Sequence, residues 1–115
     1  MSYNKYSAKK AHCRQGHTHD SMKEAKRCNE LHLLLKAGLI KDLQIQVPYE
    51  LIPAKKYTNM SNERAVKYVA DFVYIDAFGI KVIEDTKGVK TKEYIIKRKL
   101  LKSMYCGEGT VFMET

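Results

Sequence analysis

Two short stretches of this chain hold residues that could do chemistry. Tyr68-Val69-Ala70-Asp71-Phe72-Val73-Tyr74 sets one carboxylate in the middle of an apolar run. Val82-Ile83-Glu84-Asp85-Thr86-Lys87 ends a second apolar run with two acids and a lysine. A carboxylate buried without a partner is costly, so Asp71 needs one. Ala77-Phe78-Gly79 has the make-up of a three-residue hairpin link with glycine in the left-handed position. Pairing Asp76 with Ile80 across it sets Asp71 opposite Asp85 and Val73 opposite Ile83. Opposed side chains have β-carbons about 4.5–5.5 Å apart, a separation at which two carboxylates hold one divalent cation. Alternation along the strand adds Lys87 to the face of Asp85 and turns Glu84 away. Oxygen donors on a strand pair suit Mg2+ or Mn2+, which polarises a phosphodiester and makes hydroxide available from a bound water. Lys87 would orient or deprotonate that water. A plain cross-strand Asp71–Lys87 ion pair, with Asp85 at the sheet end, uses the same residues for structure alone.

The rest of the chain must position these groups. Ser21 followed by Glu24 is a capping-box spacing, and Met22, Ala25, Cys28, Leu31 and Leu35 recur at helical intervals until Gly38. Residues 39–52 are rich in β-formers and are stopped by Pro53. Residues 54–64 read as a solvated loop, and 66–75 and 80–86 as two further strands. From Thr91, Tyr94, Ile95, Leu100, Leu101 and Met104 mark the buried side of a second helix that ends at Gly107 and Gly109. Residues 110–113 form a last strand. The order α-β-β-β-α-β predicts an α/β domain over 20–115, a mixed sheet of about four strands flanked by two helices. Residues 1–19 are expected to be a basic N-terminal arm, loosely ordered or laid over the domain.

With 21 Lys and Arg against 13 Asp and Glu, the 115-residue chain carries a net charge of +8, which fits a polyanionic partner. Lys90, Lys92, Lys97, Arg98 and Lys99 lie just beyond Lys87 and are the expected DNA-binding residues, gripping phosphates without reading bases. No apolar run is long enough to cross a bilayer and no secretory signal opens the chain, so a cytoplasmic protein without membrane association is expected. Three cysteines make no disulfide framework and fit a reducing compartment. Cys13-x-x-x-His17 and Cys28-x-x-x-His32 have the composition of a Cys2His2 zinc set, although Cys28 on an apolar helix face serves equally as core filler.

Ala70-Asp71-Phe72 followed by Asp85-Thr86-Lys87 resembles the split signature of the PD-(D/E)xK nuclease superfamily. Ser21-Met22-Lys23-Glu24-Ala25, the run from Gly38 through Gln46 to Tyr49, and the run from Thr91 to Leu100 extend the resemblance. Over residues 19–113 the chain is similar to small bacteriophage and prophage proteins of that superfamily. The resemblance implies a restriction-endonuclease-like core and Mg2+-dependent (or Mn2+-dependent) DNA cleavage. Asp71, Asp85 and Glu24 would be metal ligands, with Lys87 beside the nucleophile and Gln46 beside the site. Glu24 is also the reciprocal half of a capping box, and Ala70 stands where the pattern has a proline that ligates nothing. The expected activity is an endonuclease acting on branched or structured DNA in phage recombination or replication, resembling Holliday junction resolvases. It would be a homodimer if it severs both strands of a junction, working in the bacterial host cytoplasm if phage-encoded. The alternative is a non-catalytic DNA-binding accessory protein that retains the fold.

Overall fold

The structure is a computed structural model that describes residues 11–13, 16, 18, 19, 21–87 and 89–115. A hairpin of β1 (Ala11–His12) and β2 (Thr18–His19) precedes helix α1 (Met22–Lys36). Then follow β3 (Lys41–Ile52), β4 (Val66–Ile75), β5 (Lys81–Asp85), helix α2 (Lys92–Tyr105) and β6 (Thr110–Glu114). The last four strands form one sheet in the order β3-β4-β5-β6, antiparallel except for the parallel β5–β6 pair. A parallel pair needs a crossover, and α2 is that crossover. This is the α/β layout expected from the sequence pattern. In the second half of the arm the β1–β2 hairpin packs on α1, with Ala11 and Cys13 buried. Residues 1–10 of the arm lie outside the described residues.

Local chemistry sets the element ends. Ser21 Oγ accepts the Glu24 N–H at 3.1 Å to cap α1, and Thr91 Oγ1 accepts the Tyr94 N–H at 3.1 Å to cap α2. The β4–β5 link is the predicted one: Asp76 N–H donates to Ile80 O at 2.9 Å, and Gly79 sits at φ 82°. The register that follows pairs Phe72 with Glu84 and Val73 with Ile83. Pro48 lies within β3, which tolerates it because β3 is a sheet edge.

Successive residues of β4 and β5 are buried, so both faces of the sheet are covered. On one face Tyr49, Leu51, Tyr68, Val73 and Ile83 pack with Tyr94 and Leu101 of α2. On the other, Phe72, Tyr74 and Val82 pack with Cys28 and Leu31 of α1. Met104, expected on the buried side of α2, is 52% exposed, and Tyr105 packs edge-on against Tyr49 instead.

Strands β3 and β4 change face midway. Leu43 and Ile45 belong to the α1 side, whereas Val47 and Tyr49 belong to the α2 side, although strict alternation would keep all four together. In β4, Tyr68 and Val73 share the α2 side across an odd spacing. Both shifts fall where Gln46, at φ 53°, lies across from Asp71, and the pairing is continuous on either side, Ile45 with Phe72 and Val47 with Ala70. A left-handed glutamine inside a strand is a strained conformation of the kind that concentrates at functional sites.

Candidate active site

The face change delivers Asp71 and Gln46 to the first turn of α1. Gln46 Nε2 lies 3.3 Å from Glu24 Oε2 and 3.5 Å from Asp71 Oδ1. Asp71 Oδ2 accepts from the Thr86 N–H at 2.9 Å and from Thr86 Oγ1 at 3.0 Å. Asp85, fully buried at the end of β5, accepts the Asp71 N–H at 3.2 Å on Oδ1. Its Oδ2 accepts the Tyr68 hydroxyl at 2.6 Å and lies 3.1 Å from Lys87 Nζ. The Lys87 ammonium also stands 4.8 Å from the centre of the Tyr94 ring. Glu24, Gln46, Asp71, Asp85 and Lys87 thus lie in one connected group. The Glu24 backbone keeps its place in the helix cap while its carboxylate is buried against Gln46.

This crowding raises carboxyl pKa values. Burial pushes Asp85 up to about 7, and the hydrogen bond with Asp71 and its negative charge push the same way, against the Tyr68 hydroxyl and Lys87. Asp71 is also raised, first by burial and further by Glu24, while Asp85 and the Thr86 N–H pull it down. The Asp71–Asp85 pair therefore holds a proton well above the usual carboxylate range. Among the described residues, no group of three or more His, Cys, Asp and Glu side chains is set to hold a metal ion. The donors present are all oxygens, the chemistry that suits Mg2+ or Mn2+.

Beside Asp85 a cleft of ≈ 340 Å³ opens between β4 and the start of α2, lined by Lys67, Tyr68, Lys87, Thr91, Tyr94 and Lys97, among others. Of the basic residues expected at DNA, Lys97 faces this cleft and pairs with Glu93 at 3.1 Å, while Lys92 and Lys99 are exposed. Lys90 and Arg98 instead both bind Glu114, at 2.8 and 3.0 Å. Those two, with the Tyr94 hydroxyl, hold the Glu114 carboxyl down to about 2. Sequence reasoning missed Tyr68, Thr86 and Lys67. The signal for Lys67 and Tyr68 was their place on the Asp71 strand, and for Thr86 its place between the acid and the lysine.

Glu84 faces the other way, as alternation requires. It is fully buried, with Arg27 gripping both oxygens at 2.6 and 3.0 Å and the Tyr74 hydroxyl donating at 2.7 Å. This pair fixes α1 to the sheet and so fixes the height of Glu24 over Asp71.

Fold and site together define a mixed-sheet α/β domain with a buried acidic centre beside a basic cleft. The chain belongs to the family described as protein of unknown function (DUF1064), whose model matches residues 3–113. Comparison with curated proteins and with solved structures gives no match. No helix among the described residues is long and apolar enough to cross a membrane.

Proposed function

We propose that the protein is a metal-dependent endodeoxyribonuclease of the PD-(D/E)xK type. The observation that carries this reading is the meeting of Asp71 and Asp85 in a buried site, with the Lys87 ammonium 3.1 Å from Asp85 at the wall of a lysine-lined cleft. Asp71, Asp85 and Glu24 would hold Mg2+ or Mn2+, with the Gln46 amide beside them. Such an ion polarises the phosphodiester and supplies hydroxide near neutral pH. Lys87 stabilises the charge that develops on phosphorus and orients the attacking water, while Lys67 and Lys97 hold the flanking phosphates. Tyr68 keeps Asp85 turned toward Asp71. The substrate class we favour is branched or structured DNA, cut by a homodimer.

The test is cleavage of plasmid and four-way-junction DNA with Mg2+, Mn2+ or EDTA, by the protein and by Asp85→Ala. Cutting that needs metal and is lost in the variant supports the enzyme. Salt-sensitive binding without cutting would instead make the protein a DNA-binding accessory that keeps this architecture.

A further inference from the structure

Strand β5 pairs with β4 only from Phe72 to Ile75, whereas β3 follows β4 back to Val66. Beyond the acidic centre β3 and β4 therefore run on as a two-stranded ribbon, and the turn that joins them is closed rather than slack. Lys55 N–H donates to Glu63 O at 2.9 Å, and Glu63 N–H donates to Lys55 O at 2.8 Å. Inside that pair Tyr57 N–H donates to Asn62 Oδ1 at 2.9 Å, and the Lys55 ammonium stands 5.2 Å from the centre of the Tyr57 ring. We propose that this tip is a finger whose Lys55, Lys56 and Arg64 grip the backbone of duplex DNA on one flank of the cut. The inference rests on the nuclease reading proposed for the acidic centre, whose substrate it makes more specific.

Three observations carry this. The first is charge: residues 52–67 hold Lys55, Lys56, Arg64 and Lys67 against the single acid Glu63. The phosphate backbone of a duplex is the partner of opposite sign. The second is order without burial. Residues 52–56 and 58–64 are exposed, so hydrogen bonds within the tip shape it and packing does not. Ordering a segment costs conformational entropy that burial ordinarily offsets, and a preformed exposed loop lowers the cost of binding instead. The third is continuity. Lys67 of the same ribbon lines the cleft together with Lys87, and Arg64 lies three residues further toward the tip. Cations thus lead from the acidic centre out to the finger.

The length of the ribbon says what the substrate must offer. At about 3.3 Å per residue, the stretch from Asp71 to Glu63 reaches up to roughly 26 Å, the length of about eight base pairs at ~3.4 Å each. The DNA bound is thus one with a duplex arm of at least that length beside the cut. Lysine and arginine on a backbone read no bases, so the finger adds affinity and a dependence on arm length without sequence preference.

The test is binding of the full chain, in EDTA and again with Ca2+, to labelled duplexes with arms shorter and longer than about eight base pairs. The wild type should bind the longer arms more tightly. The triple variant Lys55→Ala/Lys56→Ala/Arg64→Ala should lose that preference and reduce the salt dependence of binding by about three units of slope. All three side chains are exposed, so the variant should unfold in urea as the wild type does. Asn62→Ala, which frees the Tyr57 N–H and keeps every charge, should weaken binding to long arms and leave short arms unchanged. Metal-dependent cutting by the wild type, with slope and arm-length preference intact in the triple variant, would overturn the finger and leave the nuclease reading standing. Finger-dependent binding with no cutting would sustain the finger and sink the nuclease. A wild type that binds no duplex in either condition would overturn both.

Discussion

Gln46 joins Glu24 to Asp71: one amide nitrogen stands 3.3 Å from the helix carboxylate and 3.5 Å from the strand carboxylate. Its own backbone is left-handed at φ 53°, a conformation that costs a non-glycine residue of order 1–3 kcal/mol. Gln46→Gly should therefore fold with unchanged or slightly higher stability in urea. If the acidic centre works as proposed, the same variant loses activity by roughly 10–100-fold, the usual effect of removing a group that orients metal ligands. Loss of stability and activity together would assign Gln46 to the scaffold alone.

The Asp71–Asp85 pair sets a pH dependence whose sign is fixed. An aspartate in the unfolded chain titrates near 3.8, and in the fold Asp85 is pushed up to about 7 by burial first. A raised folded-state value gives stability that is complete below the unfolded value and is lost as pH rises toward the folded one. The unfolding free energy of the wild type minus that of Asp85→Asn should fall between about pH 4 and pH 7. The change should be on the order of 2–4 kcal/mol. A difference that stays flat over this window would show that the pair ionises normally.

Lys87 should act in turnover more than in binding. Lys87→Met is expected to lower kcat by roughly 10²–10⁴-fold with little change in KM, measured on whichever DNA the wild type cuts. A variant with unchanged kcat would confine Lys87 to its ion pair with Asp85.

The cleft lysines should differ from the two cations that share Glu114. Lys67→Ala and Lys97→Ala should each reduce the salt dependence of DNA binding by about one unit of slope. Lys90→Ala and Arg98→Ala should do less, because the two share the half-buried Glu114, which offsets part of their charge, whereas the Glu93 partner of Lys97 is exposed and its pair is screened by solvent. Equal effects at all four positions, read by titration over a range of salt, would place DNA along the whole helix face.

Arg27 should matter for folding. Arg27→Met strands a fully buried Glu84 and should cost about 3–5 kcal/mol in denaturant. Adding Glu84→Gln should recover much of the loss, and failure to recover would mean that Arg27 stabilises by packing.

Much of the site was legible because it depends on short-range rules. Gly79 fixes the hairpin link, the link fixes the register, and alternation then brings Lys87 to Asp85 and sends Glu84 to the far face. What the rules miss is tertiary. Nothing local marks Gln46 as left-handed, so the change of face in β3 and β4 was invisible, and with it the physical reason that Asp71 reaches Glu24. The two-residue strands β1 and β2 are too short to leave a periodic signal. Glu114 pairs with Lys90 and Arg98 from a strand that follows α2, a contact that the helix pattern alone does not contain. Met104 fits the apolar period of α2 yet overhangs its edge, because Tyr105 takes the place against Tyr49.

A sheet normally acts as a partition, and side chains in the layer above have no means of sensing those below. Where β3 and β4 roll over at Gln46 and Asp71, that partition has a doorway. Glu24 enters from the α1 layer, while Tyr68 and Lys87, the latter against Tyr94, stand in the α2 layer. A disturbance in either helix layer is thus felt at one shared point.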